Sequence, residues 1–188
     1  MSIIHTVPED EATGDVAALY DEDREQLGYV PTHSRMMAMN PAAQRGFEAI
    51  TAAVSARLGV RLYRLVTLAA AEALKSDPCL LAHGNMARAI LDDDQIIAVA
   101  HDYHEAGLSD AEVAMMDFAV KVCGDSAGMT DADALVLREH GFSDEQIVDI
   151  ALAASVRNYY SRALHALGVE PDVPPALPAP VRDALLAR

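Results

Sequence analysis

The sequence has few aromatic residues and few cysteines, and it lacks the features that would anchor a chain in a bilayer. It has no tryptophan, 5% aromatic residues and only two cysteines, Cys79 and Cys123. Two cysteines do not form a disulfide framework. No uncharged apolar run reaches the ~18 residues of a membrane span, and the start lacks the pattern of a signal peptide. We therefore expect a cytoplasmic protein with a core of aliphatic residues and methionine.

Basic residues are also scarce. The chain has 14 basic and 29 acidic residues, a formal net charge of −15. Such an excess opposes binding to nucleic acid or to an anionic membrane surface, so neither is predicted as a partner. His101 and His104 offer two imidazoles, but a metal site needs three or four converging ligands. The sequence predicts no metal and no cofactor.

The helix-start and helix-stop residues indicate an all-α fold. Pro8 and the acidic residues after it predict a first helix that runs to about Gln26. Residues 61–75 are nearly all apolar after one turn, which predicts a central helix covered on every side. Capping boxes that begin at Ser109 and Ser143 predict the starts of two later helices. A helix from Pro41 is expected to turn Phe47, Ile50 and Val54 inward.

The chain is interpreted as one helical domain over residues 1–170, followed by a proline-rich carboxy-terminal arm over residues 171–188. The arm includes the stretch EPDVPPALPAPV, with five prolines in twelve residues, so we expect no helix there before about Val181. Such an arm typically wraps a neighbouring subunit or its own domain. A homo-oligomer is expected.

Cys79 and His83 are the leading candidates for chemistry. Asp77 is suited to cap a helix and Pro78 to occupy its first position, which places Cys79 in the first turn. Unpaired backbone N–H groups and the helix dipole there favour a thiolate. His83, four residues later, lies on the same face and can hydrogen-bond the sulfur or carry a proton. The alternative is a structural pair, since free cysteine is among the most buried residue types.

These residues stand in a sequence that resembles the family of alkylhydroperoxidase D and carboxymuconolactone decarboxylase, specifically its peroxidase-related members. The similar stretches include RLYRLVTLAAAEALKSDPCLLAHGNMARAI, the amino-terminal EATGDVAALYDEDREQLGYVPTHSRMMAMNP and the later SDAEVAMMDFAVKV. The resemblance implies an alkylhydroperoxidase D-like helical bundle. It also matches the arginine of the family's aromatic- and asparagine-rich helix to Arg162, and Tyr159 and Tyr160 beside it are expected to pack or to line a pocket.

The family's redox members carry a glutamate, a Cys-x-x-Cys pair and a histidine. The resemblance matches Cys79 to the second cysteine and His83 to the histidine, whereas Ser76 replaces the first cysteine and Arg64 the glutamate. Without the first cysteine, no local disulfide can resolve an oxidised Cys79. Without the glutamate, the expected proton acceptor is missing, and Glu72 is a candidate replacement.

Three functional hypotheses follow for a small-molecule substrate. The first is a thiol-dependent, peroxidase-like oxidoreductase that has lost its two-cysteine relay, in which an external thiol or Cys123 resolves Cys79. The second is a non-redox decarboxylase, isomerase or eliminase that acts on a small carboxylate or lactone, with His83 as acid or base and Arg64 holding the carboxylate. The third is a non-catalytic family member. Cys79 and His83 are the predicted catalytic residues, and Arg64 and Ser76 the predicted substrate-binding residues.

Overall fold

The computed structural model describes residues 4–187, which form an all-α structure and confirm the predicted fold class. Within these residues there are ten α-helices and one short 3-10 helix. The α-helices are α1 (Gly14–Leu27), α2 (Thr32–Met37), α3 (Pro41–Leu58), α4 (Val60–Ala73), α5 (Asp77–Ala87), α6 (Asp93–Asp102), α7 (Asp110–Asp125), α8 (Asp131–Glu139), α9 (Asp144–Ala166) and α10 (Ala179–Leu186). The 3-10 helix, Ser126–Gly128, follows α7.

Both predicted capping boxes are confirmed. Ser109 starts α7 and exchanges hydrogen bonds with Glu112, and Ser143 starts α9 in the same way with Gln146. Each serine oxygen accepts from a first-turn N–H group that has no partner within its own helix. These starts were predictable because cap chemistry is local.

The predicted start of the first helix is wrong. Residues 8–11 instead form a turn, in which Glu11 N donates to Pro8 O at 3.1 Å. The helix begins at Gly14, whose φ of 57° lies in the left-handed region that glycine adopts most easily. Ile50 is also misplaced: it is 47% exposed, because the helices of residues 4–187 leave that side of α3 uncovered.

The core is built around α4, which packs against α3, α5, α7 and α9. Leu65, Val66 and Ala70 are fully buried, as expected for a helix covered on every side. Small buried residues such as Ala70 on α4 and Ala154 on α9 favour close helix packing, while each buried leucine contributes about 2 kcal/mol. The site-bearing helices are therefore held on a rigid base.

The helices α1 and α2 rest on a smaller cluster of their own, formed by Leu19, Tyr20, Val30 and Ala38. The Tyr20 hydroxyl donates to Val7 O at 2.9 Å and ties the preceding segment to this cluster. The helices α1 and α2 thus pack on each other and on α3.

The carboxy-terminal arm lies on its own domain. The helix α10 packs against α5 and α6 and buries Val181 and Leu185. Upstream, the Asp172 carboxylate accepts hydrogen bonds from the Thr32 backbone N–H and from Thr32 Oγ1. The arm therefore joins α2 to the α5–α6 side of the core. In the part of the chain that the structure describes, no helix is long and apolar enough to span a bilayer.

Candidate active site around Cys79

The chain reverses sharply just before Cys79. Lys75 has a φ of 53°, and the Ser76 N–H donates to Ala71 O at 3.0 Å, which ends α4. Ser76, not Asp77, is the N-cap of α5, and its side chain makes no capping bond. Asp77 and Pro78 are the first two helical residues, so Cys79 still lies in the first turn. Its side chain is buried, with 3% exposed.

Two side chains of α9 donate hydrogen bonds to the Cys79 sulfur. Ser161 Oγ lies 3.2 Å from Sγ, and Arg157 Nη1 lies 3.6 Å from it. Arg157 and Ser161 are four residues apart and therefore share one face of α9. Both are buried. Together they provide a charged and a neutral donor aimed at one sulfur.

Arg157 is the unusual member of this cluster. It is 4% exposed, and no carboxylate among residues 4–187 pairs with it. Its guanidinium carbon lies 5.5 Å from the ring centroids of Phe47 and Tyr160. Burial lowers the pKa of Arg157, but the Cys79 sulfur and Tyr63 more than offset this, so the group stays charged. A buried cation without an anion is strongly unfavourable, and the Cys79 sulfur is the group to which Arg157 donates.

His83 lies one turn beyond Cys79 on α5 and is 6% exposed. Its Nδ1 has no hydrogen-bond partner in the described part of the chain. Burial first, then the charges of Arg157 and Arg64, lowers the pKa of His83 well below its ordinary value. The imidazole is therefore neutral at neutral pH.

A cavity of about 280 Å³ connects these groups, and three of the four predicted site residues, Arg64, Cys79 and His83, line it. Arg64 projects from α4, with its guanidinium carbon 5.7 Å from the Tyr63 ring centroid, and burial lowers its pKa. Ser76 is fully buried and is not among the lining residues.

Two other residues considered from the sequence lie elsewhere. Glu72 is exposed and borders a small apolar depression beside Leu185. Cys123 is buried near the end of α7, where its thiol contacts Ala154 O at 3.8 Å. Burial raises the pKa of Cys123 to about 11, so it remains a thiol at neutral pH.

The structure adds site residues that the sequence comparison missed. The resemblance matches the family's arginine to Arg162, but Arg162 is exposed and donates to Asn158. The arginine that donates to the Cys79 sulfur is Arg157. Tyr160 lines the cavity as expected, but Tyr159 is 50% exposed. The available signal was spacing: residues 157, 160 and 161 share one helical face, which does not include residue 162.

His33 of α2 is a further unforeseen lining residue. Its ring contacts that of Tyr160 edge to face, with 6.2 Å between the centroids. Burial lowers the pKa of His33 to about 4, although Asp172 opposes the shift. The cavity therefore contains two imidazoles that are both neutral at neutral pH.

Comparison with known proteins supports the family that the sequence predicts. Neither protein-family models nor curated protein sequences yielded a match to this chain. Among solved structures, a peroxidase-related protein with an alkylhydroperoxidase AhpD core, from Ralstonia eutropha JMP134, is 30% identical, with a TM-score of 0.78. The similarity covers 89% of this chain and 91% of that one. A peroxidase-related protein from Silicibacter sp. TM1040 is 26% identical, with a TM-score of 0.79 over 91% and 92% of the two chains.

The chain therefore belongs to the alkylhydroperoxidase D and carboxymuconolactone decarboxylase family, as its sequence predicted. Among the described residues, one cysteine, Cys79, lines its cavity. The fold also occurs in the debrominase Bmp8, solved as a cysteine-to-alanine variant in complex with 2,3,4-tribromopyrrole. That protein is 17% identical, with a TM-score of 0.77 over 98% of each chain, a likeness of fold alone.

Proposed function

We propose that the protein is a thiol-dependent oxidoreductase that works with one cysteine, Cys79, and no local disulfide relay. The observation that carries this proposal is the buried Arg157, which pairs with no carboxylate in the described residues and donates to the Cys79 sulfur. A guanidinium in that position stabilises a thiolate, the reactive form of cysteine. A merely structural cysteine needs no buried cation beside it.

With a hydroperoxide as substrate, the Cys79 thiolate attacks the terminal oxygen. A sulfur–oxygen bond forms, the oxygen–oxygen bond breaks, and the departing alkoxide takes a proton from the solvent to leave as an alcohol. Cys79 is oxidised to the sulfenic acid and the hydroperoxide is reduced. One external thiol then forms a mixed disulfide and releases water, and a second thiol restores Cys79 and leaves as a disulfide.

The surrounding side chains have distinct roles in this step. Arg157 and Ser161 hold the thiolate through the bonds that they donate to Sγ. His83 is neutral and accepts or returns a proton at the reacting oxygen, the role for which the family's glutamate is missing. Arg64 binds the polar group of the substrate. Ser76, which does not line the cavity, stays outside the proposed substrate site.

A non-redox reaction is the second candidate function. His83 Nδ1 and Arg64 Nε are both buried and lack a hydrogen-bond partner within residues 4–187. A proton acceptor and a guanidinium beside one cavity also suit proton transfer on a small carboxylate or lactone. In that reaction Cys79 would be dispensable, which separates the two candidates.

The test compares the wild-type chain with Cys79→Ser and Cys123→Ser in tert-butyl hydroperoxide and 2-mercaptoethanol. We expect Cys79→Ser to lose about 100-fold or more of the turnover and Cys123→Ser to retain it, because Cys123 lies outside the cavity. Dimedone should trap a sulfenic acid on Cys79, as read by mass spectrometry. Turnover that survives in Cys79→Ser, or trapping on Cys123 alone, would contradict the proposal.

The same variants define the electrophile. The debrominase relative makes 2,3,4-tribromopyrrole a natural second probe, followed through bromide release with 2-mercaptoethanol as the reductant. Bromide release that depends on Cys79 would show that the protein accepts halogenated substrates as well as hydroperoxides. Activity in neither assay would favour the non-redox candidate.

A further inference from the structure

Unpartnered polar atoms are concentrated around the Cys79 cavity. Six buried side-chain nitrogen or oxygen atoms in the described residues lack a hydrogen-bond partner. Five of them belong to residues that line this cavity: Gln44, Tyr63, Arg64, His83 and Arg157. Each such atom costs about 1–3 kcal/mol until a partner reaches it. The side chains around the cavity therefore carry polar groups whose hydrogen bonds are not made within the described residues.

The end of the cavity at Cys79 is positively charged. Arg64 and Arg157 both line it, and neither forms an ion pair with a carboxylate anywhere in residues 4–187. If Cys79 is a thiolate, it balances one of the two charges and leaves one. The Tyr63 hydroxyl, buried and unpartnered, adds a neutral donor. A single carboxylate group matches this end in charge and in hydrogen bonding.

Acidic side chains line the cavity where it adjoins a second, surface depression. Asp23 and Glu48 line both the cavity and an adjoining surface depression that also contains Glu22. Glu22 and Glu48 share one cation, Arg45, whose Nη atoms lie 2.6 Å and 2.9 Å from their carboxylates. Asp23 has no cationic partner in the described structure. Burial raises its pKa, and Ser34 donates a hydrogen bond to it.

From this division of charge we propose that the cavity takes a small zwitterionic carboxylate, its carboxylate held by Tyr63, Arg64 and Arg157 and its ammonium held by Asp23. A plain anion would leave Asp23 without a cationic partner, and a plain cation would leave both arginines without a carboxylate. The volume of about 280 Å³ is just below the range of drug-sized pockets, about 300–1,000 Å³, so the occupant is small. The inference deepens the proposed function, on which it rests, by naming its substrate class.

The experiment is calorimetric titration of the full chain with matched probes at pH 7.5. The probes are 4-aminobutanoate, 6-aminohexanoate and 8-aminooctanoate, each paired with the carboxylate of equal length that lacks the amine. We expect at least one amino carboxylate to bind about tenfold or more tightly than its partner, which corresponds to about 1.4 kcal/mol. Asp23→Asn, which can still accept from Ser34, should abolish that preference. Arg64→Met should weaken both members of the pair.

Glu25→Gln is the matched control, because it removes a carboxylate from the exposed side of the same helix. It should leave the preference intact. Equal binding of both probes at all three lengths, or a preference that survives in Asp23→Asn, would overturn the inference. Circular dichroism of each variant checks the fold.

The binding test does not depend on turnover, so the two proposals fail separately. Cys79→Ser removes the reactive sulfur but leaves Asp23, Arg64 and Arg157 in place. The preference for amino carboxylates should persist in this variant, with tighter binding of the carboxylate because no thiolate competes for Arg157. If the protein shows no peroxide turnover but still prefers amino carboxylates, the proposed oxidoreductase function is wrong and the inferred ligand class is retained.

Discussion

At the scale of single residues, Arg157 is the side chain on which the proposed chemistry depends. Arg157→Met removes the charged donor to Cys79 Sγ and should lower the thiolate fraction at neutral pH. We expect iodoacetamide to alkylate Cys79 about tenfold more slowly at pH 7, with partial recovery in Arg157→Lys, which keeps the charge but not the planar donor geometry. Mass spectrometry separates the Cys79 adduct from that of Cys123.

Arg162→Met provides the control for that measurement. Arg162 lies on the same helix but is exposed and donates to Asn158, so its removal should leave the alkylation rate unchanged. Equal rates in wild type and Arg157→Met would show that the guanidinium does not stabilise a thiolate, and the proposed function would lose its main support.

His33 makes the stability of the protein depend on pH. Its pKa is lowered to about 4 in the folded state, whereas the unfolded value is about 6.5. Between these values the unfolded chain binds a proton that the native state does not. Stability is therefore complete above about pH 6.5 and is lost as the pH falls through this window. At pH 5, His33 lowers the free energy of unfolding by about 2 kcal/mol relative to its value at neutral pH.

His33→Gln should therefore reduce the loss of unfolding free energy between pH 7.5 and pH 5, measured by urea titration at both values. His165→Gln, which replaces an exposed histidine at the end of α9, should lose as much stability as wild type. Parallel losses in all three proteins would mean that His33 is already protonated in the native state at pH 5.

At the scale of elements, the contact between α5 and α10 depends on one glycine. A Cβ added at Gly84 would lie 2.3 Å from Leu185 Cδ1, so any larger residue must displace that side chain. Gly84→Ala should destabilise the fold by about 1–2 kcal/mol despite its better helix propensity. Leu185→Ala should cost about 2–4 kcal/mol, because Leu185 is buried.

The double variant tests whether the contact is real. Once Leu185 is shortened, the alanine at position 84 has room. The double variant should therefore lose at least about 1 kcal/mol less unfolding free energy than the sum of the losses in the two single variants. Leu186→Ala, at a neighbouring residue that is 38% exposed, should cost under about 0.5 kcal/mol. Strict additivity in urea unfolding would mean that α10 does not press on Gly84.

At the scale of the whole molecule, net charge should make stability depend on salt. The formal charge of −15 causes self-repulsion in the compact state. Raising NaCl from about 0.02 M to about 0.2 M shortens the Debye length from about 20 Å to about 7 Å. We expect the Tm to rise by a few degrees, since the surface ion pairs weakened by salt contribute under about 1 kcal/mol each.

Potassium chloride at the same ionic strength should have the same effect, because screening does not depend on the identity of a monovalent cation. A Tm that falls with added salt would show that exposed pairs such as Arg138 with Asp144 outweigh the repulsion.

What could be read from the sequence lies mainly within single helices. The capping boxes of α7 and α9 and the burial of α4 follow from local hydrogen bonding and helical periodicity. Cys79 and His83 share a face of α5 because they are four residues apart. The fold class and the family also followed, because the order and spacing of these local signals is itself a pattern.

The charge environment of the site was decided only by packing. Arg157 and Ser161 approach Cys79 because α9 and α5 both pack on α4, and Asp23 lines the same cavity because α1 packs on α3. Local spacing predicts which face of a helix a side chain occupies, but not which other helix that face meets. Arg157 and Cys79 are 78 residues apart in sequence, so their contact exists only in the tertiary structure.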